Sequence, residues 1–392
     1  MNWYTISFIL FIVVVAILIY KNRKKITVKY YIFYRYDTER GKKLIDKIAK
    51  LSPRFWKVFG SVGVFVGLIA MVMGFEIIIK SFIKYITSPQ TFIPSISLVI
   101  PVPFENLTFA PGFLGVPFWY WIVSVAILIF FHEGMHGILA RAEKVKIKTL
   151  GLFLLAVIPG AFVEPYEKQL KRANWKSKLR IYSAGSFINI LIGIIFMIFL
   201  LYSYLPNLYE DSLGFSYYTI GENHTKLPAQ LNNLTGAIYS INGERIRNVQ
   251  DLAVFMNKTK PGDTLKIKTV QGDLVAPFMN FVVIKNPDFK EYEIKTVKVN
   301  NRSVIGITGF INVKVAKYPG FINFLTGLMI WISILNIGVG IVNMLPMKPL
   351  DGGLVIETLG ERFFPKYKNV VVKASSSIVL FLLLANILVA LL

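Results

Sequence analysis

Long apolar stretches alternate with polar segments along this chain of 392 residues. At about 1.5 Å of rise per residue, a helix needs roughly 17 to 25 apolar residues to cross a bilayer. Six stretches are long enough and predict transmembrane helices: residues 3–20, 58–80, 117–140, 181–204, 321–345 and 374–392. The first stretch runs directly into a basic segment and has no small-residue cleavage site, so it predicts a retained helix and not a signal peptide.

A seventh apolar stretch, residues 149–163, reads TLGLFLLAVIPGAFV. It is too short to span a bilayer comfortably, and Pro159 and Gly160 interrupt it. The pattern therefore predicts a re-entrant or interfacial hairpin.

A polar segment at residues 206–318 contains short β-branched runs separated by turn residues, which predicts an inserted β-rich domain. One helix is expected inside it, capped by Asn248 or Asp251 and ending near Lys258. Residues 228–270 resemble a PDZ domain of the kind attached to membrane proteases, and an unrelated small β-rich domain is the alternative. The chain then divides into residues 1–116, 117–205, 206–318 and 319–392. The expected fold is a polytopic α-helical membrane protein with six helices, a re-entrant hairpin and a PDZ-like insertion.

The composition supports a membrane location, since 54% of the residues are hydrophobic and the mean hydropathy is +0.56. The net charge of +22 is explained by basic residues concentrated in a few segments between the apolar stretches. Thirteen Lys and Arg lie in residues 21–57 and ten in 141–180, whereas residues 81–116 contain one. Because basic loops stay cytoplasmic, both termini and residues 206–318 are predicted to be extracytoplasmic, in a multi-pass protein of the cell membrane. No nucleic-acid-binding motif accompanies the charge, so nucleic acid is not an expected partner.

The third apolar stretch ends in ILIFFHEGMHGILA. His132 and His136 are four residues apart, so on a helix they share a face and can offer two imidazoles to one zinc ion. Glu133 lies beside them as a candidate general base for a bound water. Ionisable residues inside a membrane helix are costly and usually functional. The alternative is a helix end at the cytoplasmic surface with solvated polar residues.

A catalytic zinc site usually takes a third protein ligand. The chain has no cysteine, and its third histidine, His224, lies in the predicted extracytoplasmic domain, so the candidates are the acidic residues near the apolar stretches, Glu76, Glu164 and Asp351. Glu76 is expected near the outer end of its helix. Asp351 follows the fifth stretch and is expected at the depth of His136, which favours it as the third ligand of one Zn²⁺ per chain. A helix-capping role for Asp351 is the alternative.

Three features together resemble the site-2 protease family of intramembrane zinc metalloproteases. They are HEGMH at 132–136, the run N-x-x-P-x-x-P-L-D-G-G from Asn343 to Gly353, and a PDZ-like domain inserted between them. PGAFVEP at 159–165 and SAGSFIN at 183–189 are also similar to family signatures. One departure is Ser186, where many members have proline.

The resemblance implies that His132, His136 and Asp351 bind zinc, that Glu133 is the catalytic base, and that Asn189 lies near the active site. The expected substrates are transmembrane segments of other proteins in the lipid bilayer, cleaved with a zinc-bound water. Such a segment must unwind, because a helix hides its carbonyls in hydrogen bonds.

Three further sets of residues are candidates for contacting the unwound substrate. The hairpin residues Pro159, Gly160, Ala161 and Phe162 offer a strand edge for pairing, with an interfacial structural loop as the alternative. Asn189 and Asn343 are candidates for binding the substrate backbone or the oxyanion, with helix packing as the alternative role. A peptidase that trims small peptides, a metal transporter and an inactive scaffold are rival functions, and the sequence does not indicate the oligomeric state.

Overall fold

The computed structural model describes residues 3–29, 32–87, 97–104, 108–110, 112–155, 158–204, 214–219, 221–222, 225–277, 281–299, 302–315 and 321–388. The chain divides into two compact units. We call Met1–Met197 with Trp331–Leu392 the helical unit, and Ile198–Ile330 the β-rich unit.

The helices of the described residues are α1 (Trp3–Lys21), α2 (Lys42–Leu51), α3 (Pro53–Thr87), α4 (Phe118–Ala142), α5 (Glu167–Arg172), α6 (Trp175–Phe199), α7 (Pro228–Leu231), α8 (Val249–Lys258), α9 (Phe321–Asn343), α10 (Asp351–Phe363) and α11 (Lys368–Leu388). A 3-10 turn at Arg23–Lys25 follows α1, and a π-helical turn at Leu200–Tyr204 follows α6.

The strands of the described residues are β1 (Ile26–Lys29), β2 (Phe33–Thr38), β3 (Leu98–Val102), β4 (Thr108–Ala110), β5 (Phe113–Pro117), β6 (Ile147–Leu155), β7 (Ile158–Pro165), β8 (Gly214–Thr219), β9 (Gly221–Glu222), β10 (Thr225–Lys226), β11 (Ala237–Ile241), β12 (Glu244–Arg245), β13 (Thr264–Pro277), β14 (Phe281–Lys295), β15 (Val297–Val299), β16 (Arg302–Val304) and β17 (Ile307–Val315).

Within the described part of the chain, six helices are long and apolar enough to cross a membrane: α1, α3, α4, α6, α9 and α11. The six predicted membrane helices are therefore confirmed, and their ends differ. Helix α3 covers 35 residues instead of the predicted 58–80, because polar residues such as Lys57 and Lys84 continue the helix beyond its apolar part. Helix α6 begins six residues before the predicted start, through a basic turn. Residues 389–392 of the last predicted span lie outside the described residues.

A stripe of small residues runs along the buried face of α3, including Gly60, Gly63, Gly67 and Gly74. A Cβ at each of these positions would come within about 3 Å of a side chain of α4, α6, α9 or the turn that follows α9. Small residues let membrane helices approach closely, so α3 is a central support for the helices that carry the candidate site.

The N-terminal end of α1 is attached to the N-terminal end of α4. The Tyr4 hydroxyl lies 3.2 Å from the Trp119 backbone nitrogen, and the Trp119 indole nitrogen donates to Ser7 Oγ at 2.9 Å. Phe8 and Phe11 contact the ring of Phe118 edge-on. The two helices therefore start at the same end of the helical unit.

The predicted hairpin forms the antiparallel pair β6 and β7, in which Leu150 lies opposite Val163 and Leu152 opposite Ala161. It belongs to a four-stranded sheet in the order β1-β2-β6-β7, with β7 at the edge. The predicted hairpin is therefore part of a larger sheet, which was not predicted. Strands β1 and β2 lie in the basic segment, whose charges conceal the alternating pattern. The sheet β3-β5-β4 lies in residues 98–117, for which no strands were predicted.

The β-rich unit contains a six-stranded sheet in the order β12-β11-β13-β14-β17-β8. Strand β8 pairs with both β17 and β11, so the sheet closes on itself around a core that includes Phe215, Ile238 and Leu265. The predicted helix is confirmed as α8. Asn248 caps it by accepting a hydrogen bond from the Asp251 backbone at 2.9 Å, which resolves the choice between the two residues.

Candidate metal centre

Two helices bring the predicted metal ligands together. His132 and His136 lie one turn apart on α4, and Asp351 is the first residue of α10. The two Nε2 atoms are 3.1 Å apart. Asp351 Oδ2 lies 3.3 Å from His132 Nε2 and 3.4 Å from His136 Nε2. The chain thus directs two imidazole nitrogens and one carboxylate oxygen at a common point.

The spacing of these three atoms fits a zinc ion. Zinc in proteins is bound tetrahedrally at about 2.0 to 2.2 Å, so two ligand atoms of one ion lie roughly 3.3 to 3.5 Å apart. All three observed separations are near this value. The donor set also suits zinc, because two imidazoles and one carboxylate leave a fourth position open for water.

Hydrogen bonds behind the histidines orient both rings. His136 Nδ1 lies 2.7 Å from the Ile181 carbonyl oxygen, which only accepts, so Nδ1 carries the proton and leaves Nε2 free to bind a metal. His132 Nδ1 lies 3.0 Å from Nδ2 of the buried Asn189 carboxamide. A metal-bound His132 carries its proton on Nδ1. Rotation of the carboxamide by 180° then presents Oδ1, which has no hydrogen-bond partner among the described residues, to accept from that Nδ1–H.

Asp351 begins α10 without capping it. Leu350 occupies the capping position and makes no side-chain bond there, whereas Asp351 faces the histidines and accepts a hydrogen bond from Ser186 Oγ at 3.2 Å. A Cβ at Gly353 would lie 2.5 Å from the Met347 backbone. A residue without a side chain is therefore required where the turn brings Asp351 to α4.

Gly185 on α6 lies directly against the two histidines. A Cβ at this position would come within 2.6 Å of His132 Nε2 and would also contact His136 Nε2. From the sequence, Ser186 was noted only as a departure from the family pattern, and neither Gly185 nor Ser186 was predicted to contact the metal ligands. The small-residue run Ser183-Ala184-Gly185-Ser186 was the available signal, because such runs mark close helix contacts.

Glu133 lies between the histidines and strand β7. Its Oε2 accepts a hydrogen bond from the Val163 backbone nitrogen at 2.9 Å. That N–H therefore points away from β6, and Ala161, two residues earlier, points its N–H and C=O the same way. The candidate base and the outer edge of β7 are thus adjacent.

The remaining sequence candidates lie as follows. Pro159, Gly160, Ala161 and Phe162 form the first half of β7. Asn343 ends α9 and is half-buried, and among the described residues its side chain has no hydrogen bond to the three ligand residues.

The two rejected acidic candidates are engaged elsewhere. Glu76 pairs with Lys80 one turn along α3. Glu164 accepts hydrogen bonds from Lys148 at 2.7 Å and from Arg35 at 2.9 Å. Both bonds lower the pKa of the Glu164 carboxyl, and the bond from Lys148 has the larger effect.

Comparisons with known proteins agree with this arrangement. A model of a family described as peptidase family M50 matches residues 120–386, a range that contains His132, Glu133, His136 and Asp351. A protein of Methanocaldococcus jannaschii described as uncharacterized protein MJ0971 is 27% identical over 365 residues. That alignment covers 90% of this chain and 85% of the relative.

Proposed function

This chain belongs to peptidase family M50, and on that basis we propose that it is a zinc-dependent intramembrane endopeptidase that cleaves transmembrane segments of other membrane proteins. One observation carries the proposal. Two imidazole nitrogens of α4, a helix long and apolar enough to cross a membrane, and the Asp351 carboxylate oxygen at the start of α10 lie 3.1 to 3.4 Å apart, beside Glu133.

Each residue of the site has a role in the proposed hydrolysis. His132, His136 and Asp351 would hold one zinc ion. When bound, zinc supplies a Lewis acid that polarises the scissile carbonyl and lowers the pKa of a water molecule. Glu133 accepts a proton from the attacking water and passes it to the leaving amine. Ile181, Asn189 and Ser186 orient the ligands through the hydrogen bonds described above.

The edge of β7 suits the capture of an unwound substrate. A transmembrane substrate must leave its helix before cleavage, and its exposed N–H and C=O groups then need new partners. The outward N–H and C=O of Ala161 offer such partners by strand addition. Val163 is two residues further along, about 7 Å at 3.3 Å per residue, and its N–H holds Glu133. A strand paired at Ala161 therefore passes beside the base.

The two asparagines receive different proposals. The contact between Asn189 and His132 Nδ1 supports a role in orienting that ligand, which replaces substrate contact as our preferred assignment. Asn343 remains a candidate for contacting the substrate backbone or the oxyanion, since it ends α9 at the start of the turn that carries Asp351.

The topology also remains a proposal. The basic segments favour both termini and residues 206–318 outside the cell membrane, with the metal site toward the cytoplasmic side. The closed sheet and helix α8 of the β-rich unit are compatible with the PDZ-like identity proposed for residues 206–318.

Replacement of the base tests the proposal. Purified protein is reconstituted with a model transmembrane segment, and cleavage is followed with zinc, after chelation, and after zinc is restored. We expect Glu133→Gln to bind zinc and to lose cleavage by roughly 10²-fold or more, because an amide cannot accept the water proton. Glu76→Gln, which alters a membrane glutamate remote from the ligands in sequence and paired with Lys80, is the matched control and should cleave normally. Cleavage that survives chelation, or near wild-type cleavage by Glu133→Gln, contradicts the proposal.

A further inference from the structure

A cavity of about 460 Å³ lies beside Glu133 in the helical unit. Its walls are α2, the segment of α4 from Phe130 to Ile138, and the middle of strands β6 and β7. This volume is within the range of about 300 to 1000 Å³ typical of ligand sites. The imidazole rings of His132 and His136 do not line the cavity, so it is distinct from the metal centre and adjacent to it through Glu133.

The lining of this cavity is almost entirely apolar. Thr38, Arg40 and Glu133 are its polar members, and the rest are apolar side chains or glycines. Large apolar side chains at the wall are open on the outside of the unit, with Phe130 65% exposed and Leu152 61% exposed. An apolar substrate side chain that moves from the bilayer into the cavity therefore stays in apolar surroundings, whereas burial of a charged side chain there would be costly.

The geometry of β7 points a substrate side chain into this cavity. The side chain of Val163 faces α2 and α4. A Cβ at Gly137 of α4 would lie 3.2 Å from Val163 Cγ1 and 3.0 Å from Ile45 of α2. Ala161 is two residues away and shares this face of the strand. A substrate residue paired opposite Ala161 directs its side chain to the same face as Ala161, since directly opposite residues in a sheet are neighbours on one face.

We propose that the cavity is the specificity pocket of the protease and receives one large apolar side chain, such as Phe, Leu or Met, from the substrate strand paired opposite Ala161. This inference rests on the proposed function and assigns a sequence preference to it. The pocket favours substrates with a bulky apolar residue beside the cleaved bond, because burying such a side chain next to Glu133 fixes the register of the strand.

Gly134 provides a way to fill the cavity without disturbing the fold. It lines the cavity, and a Cβ there would meet no atom within 4 Å among the described residues. Alanine or leucine is also a better helix former than glycine. Gly338 on α9 is a matched control, because it is a membrane-helix glycine whose Cβ likewise meets no described atom, and it does not line the cavity.

The test measures side-chain preference by cleavage of model transmembrane segments that carry a single Phe or a single Ala at each position flanking the cleaved bond. We expect the wild type and Gly338→Leu to prefer Phe at one position by about tenfold or more in kcat/KM. Gly134→Leu should reduce this preference to within about twofold, and Gly134→Ala should give an intermediate value.

The outcomes separate this inference from the proposed function. If the wild type cleaves in a zinc-dependent way and both Gly134 variants keep its Phe preference, the pocket assignment is wrong and the protease stands. The pocket assignment also fails if the wild type shows no preference at any position. If the wild type cleaves none of the segments with zinc, the proposed function fails and the pocket with it. Should Gly134→Leu not fold, as judged by its melting temperature, the Gly134→Ala result decides.

Discussion

His132 and His136 depend for their geometry on residues that contribute no ligand atom. The Ile181 carbonyl and the Asn189 carboxamide bond the outer ring nitrogens, and Gly185 leaves room for the inner ones. Outer partners of this kind commonly change metal affinity by 10- to 100-fold when they are removed. The geometry of the two histidines therefore depends on residues of α6 as well as on α4, which carries them.

Gly185→Ala tests this dependence. The added methyl group would overlap both Nε2 atoms, so we expect zinc affinity to fall by about 10-fold or more while the membrane helices remain folded. Gly338→Ala adds the same group where the described residues leave space, and its affinity should equal that of the wild type. Equal affinities for the wild type and Gly185→Ala, measured by competition with a zinc indicator, would show that α6 does not shape the site.

The metal-ligand candidates could be predicted from the sequence, whereas the residues that pack around them could not. The i, i+4 spacing on a helix brings His132 and His136 together without any tertiary information, and Asp351 was inferred from membrane depth. The contacts of Ser186, Gly185 and Val163 depend on how α6 and β7 pack against α4. No spacing rule within one element contains that information.

Strand β7 is the element that we propose to link the metal centre to a substrate. Its inner edge pairs with β6, its outer edge holds Glu133 through Val163, and among the described residues no strand pairs with Ala161 on that outer edge. Proline is tolerated at an outward edge position, because it removes an N–H that the ladder does not use.

Ala161→Pro therefore separates substrate pairing from metal binding. We expect zinc content and melting temperature close to the wild type, with kcat/KM for a transmembrane segment reduced about tenfold or more. One lost backbone hydrogen bond accounts for about 1 kcal/mol of this loss, and the proline ring blocks close approach. Ala161→Ser keeps the N–H and should cleave normally. Normal cleavage by Ala161→Pro would exclude strand pairing at this residue.

The membrane helices could be predicted from the sequence, whereas most strands of the helical unit could not. Long apolar helices are visible because each spans the membrane by itself, and all six were predicted. The hairpin was visible because Pro159 and Gly160 interrupt an apolar run. Strands β1 and β2 were not predicted, since they are short, lie among basic residues and are stabilised by pairing with β6 far along the chain.

For the whole molecule, the proposed topology assigns a filtering role to the domain inserted at residues 206–318. The segment is joined at both ends to membrane helices, so a folded domain there is tethered to the membrane. We propose that it restricts access by substrates with bulky extracytoplasmic domains.

Deletion of residues 206–318, with a flexible linker in their place, tests this role. We expect cleavage of a short model helix within about threefold of the wild type, given the modest dependence of loop closure on loop length. Cleavage of a substrate with a large extracytoplasmic domain should increase. If the deleted protein keeps its zinc and still rejects the bulky substrate as strictly as the wild type, the domain is not the filter.

Zinc K-edge absorption spectroscopy of the purified protein, with the Asp351→Ala variant measured beside it, tests whether His132, His136 and Asp351 bind one zinc ion. We expect one zinc per chain, bound by two imidazole nitrogens and one carboxylate oxygen at about 2.0 to 2.2 Å, with the oxygen contribution from Asp351 lost in the variant. A zinc ion bound to the histidines in an identical environment in both proteins, or a wild-type chain that binds no zinc, would contradict this expectation.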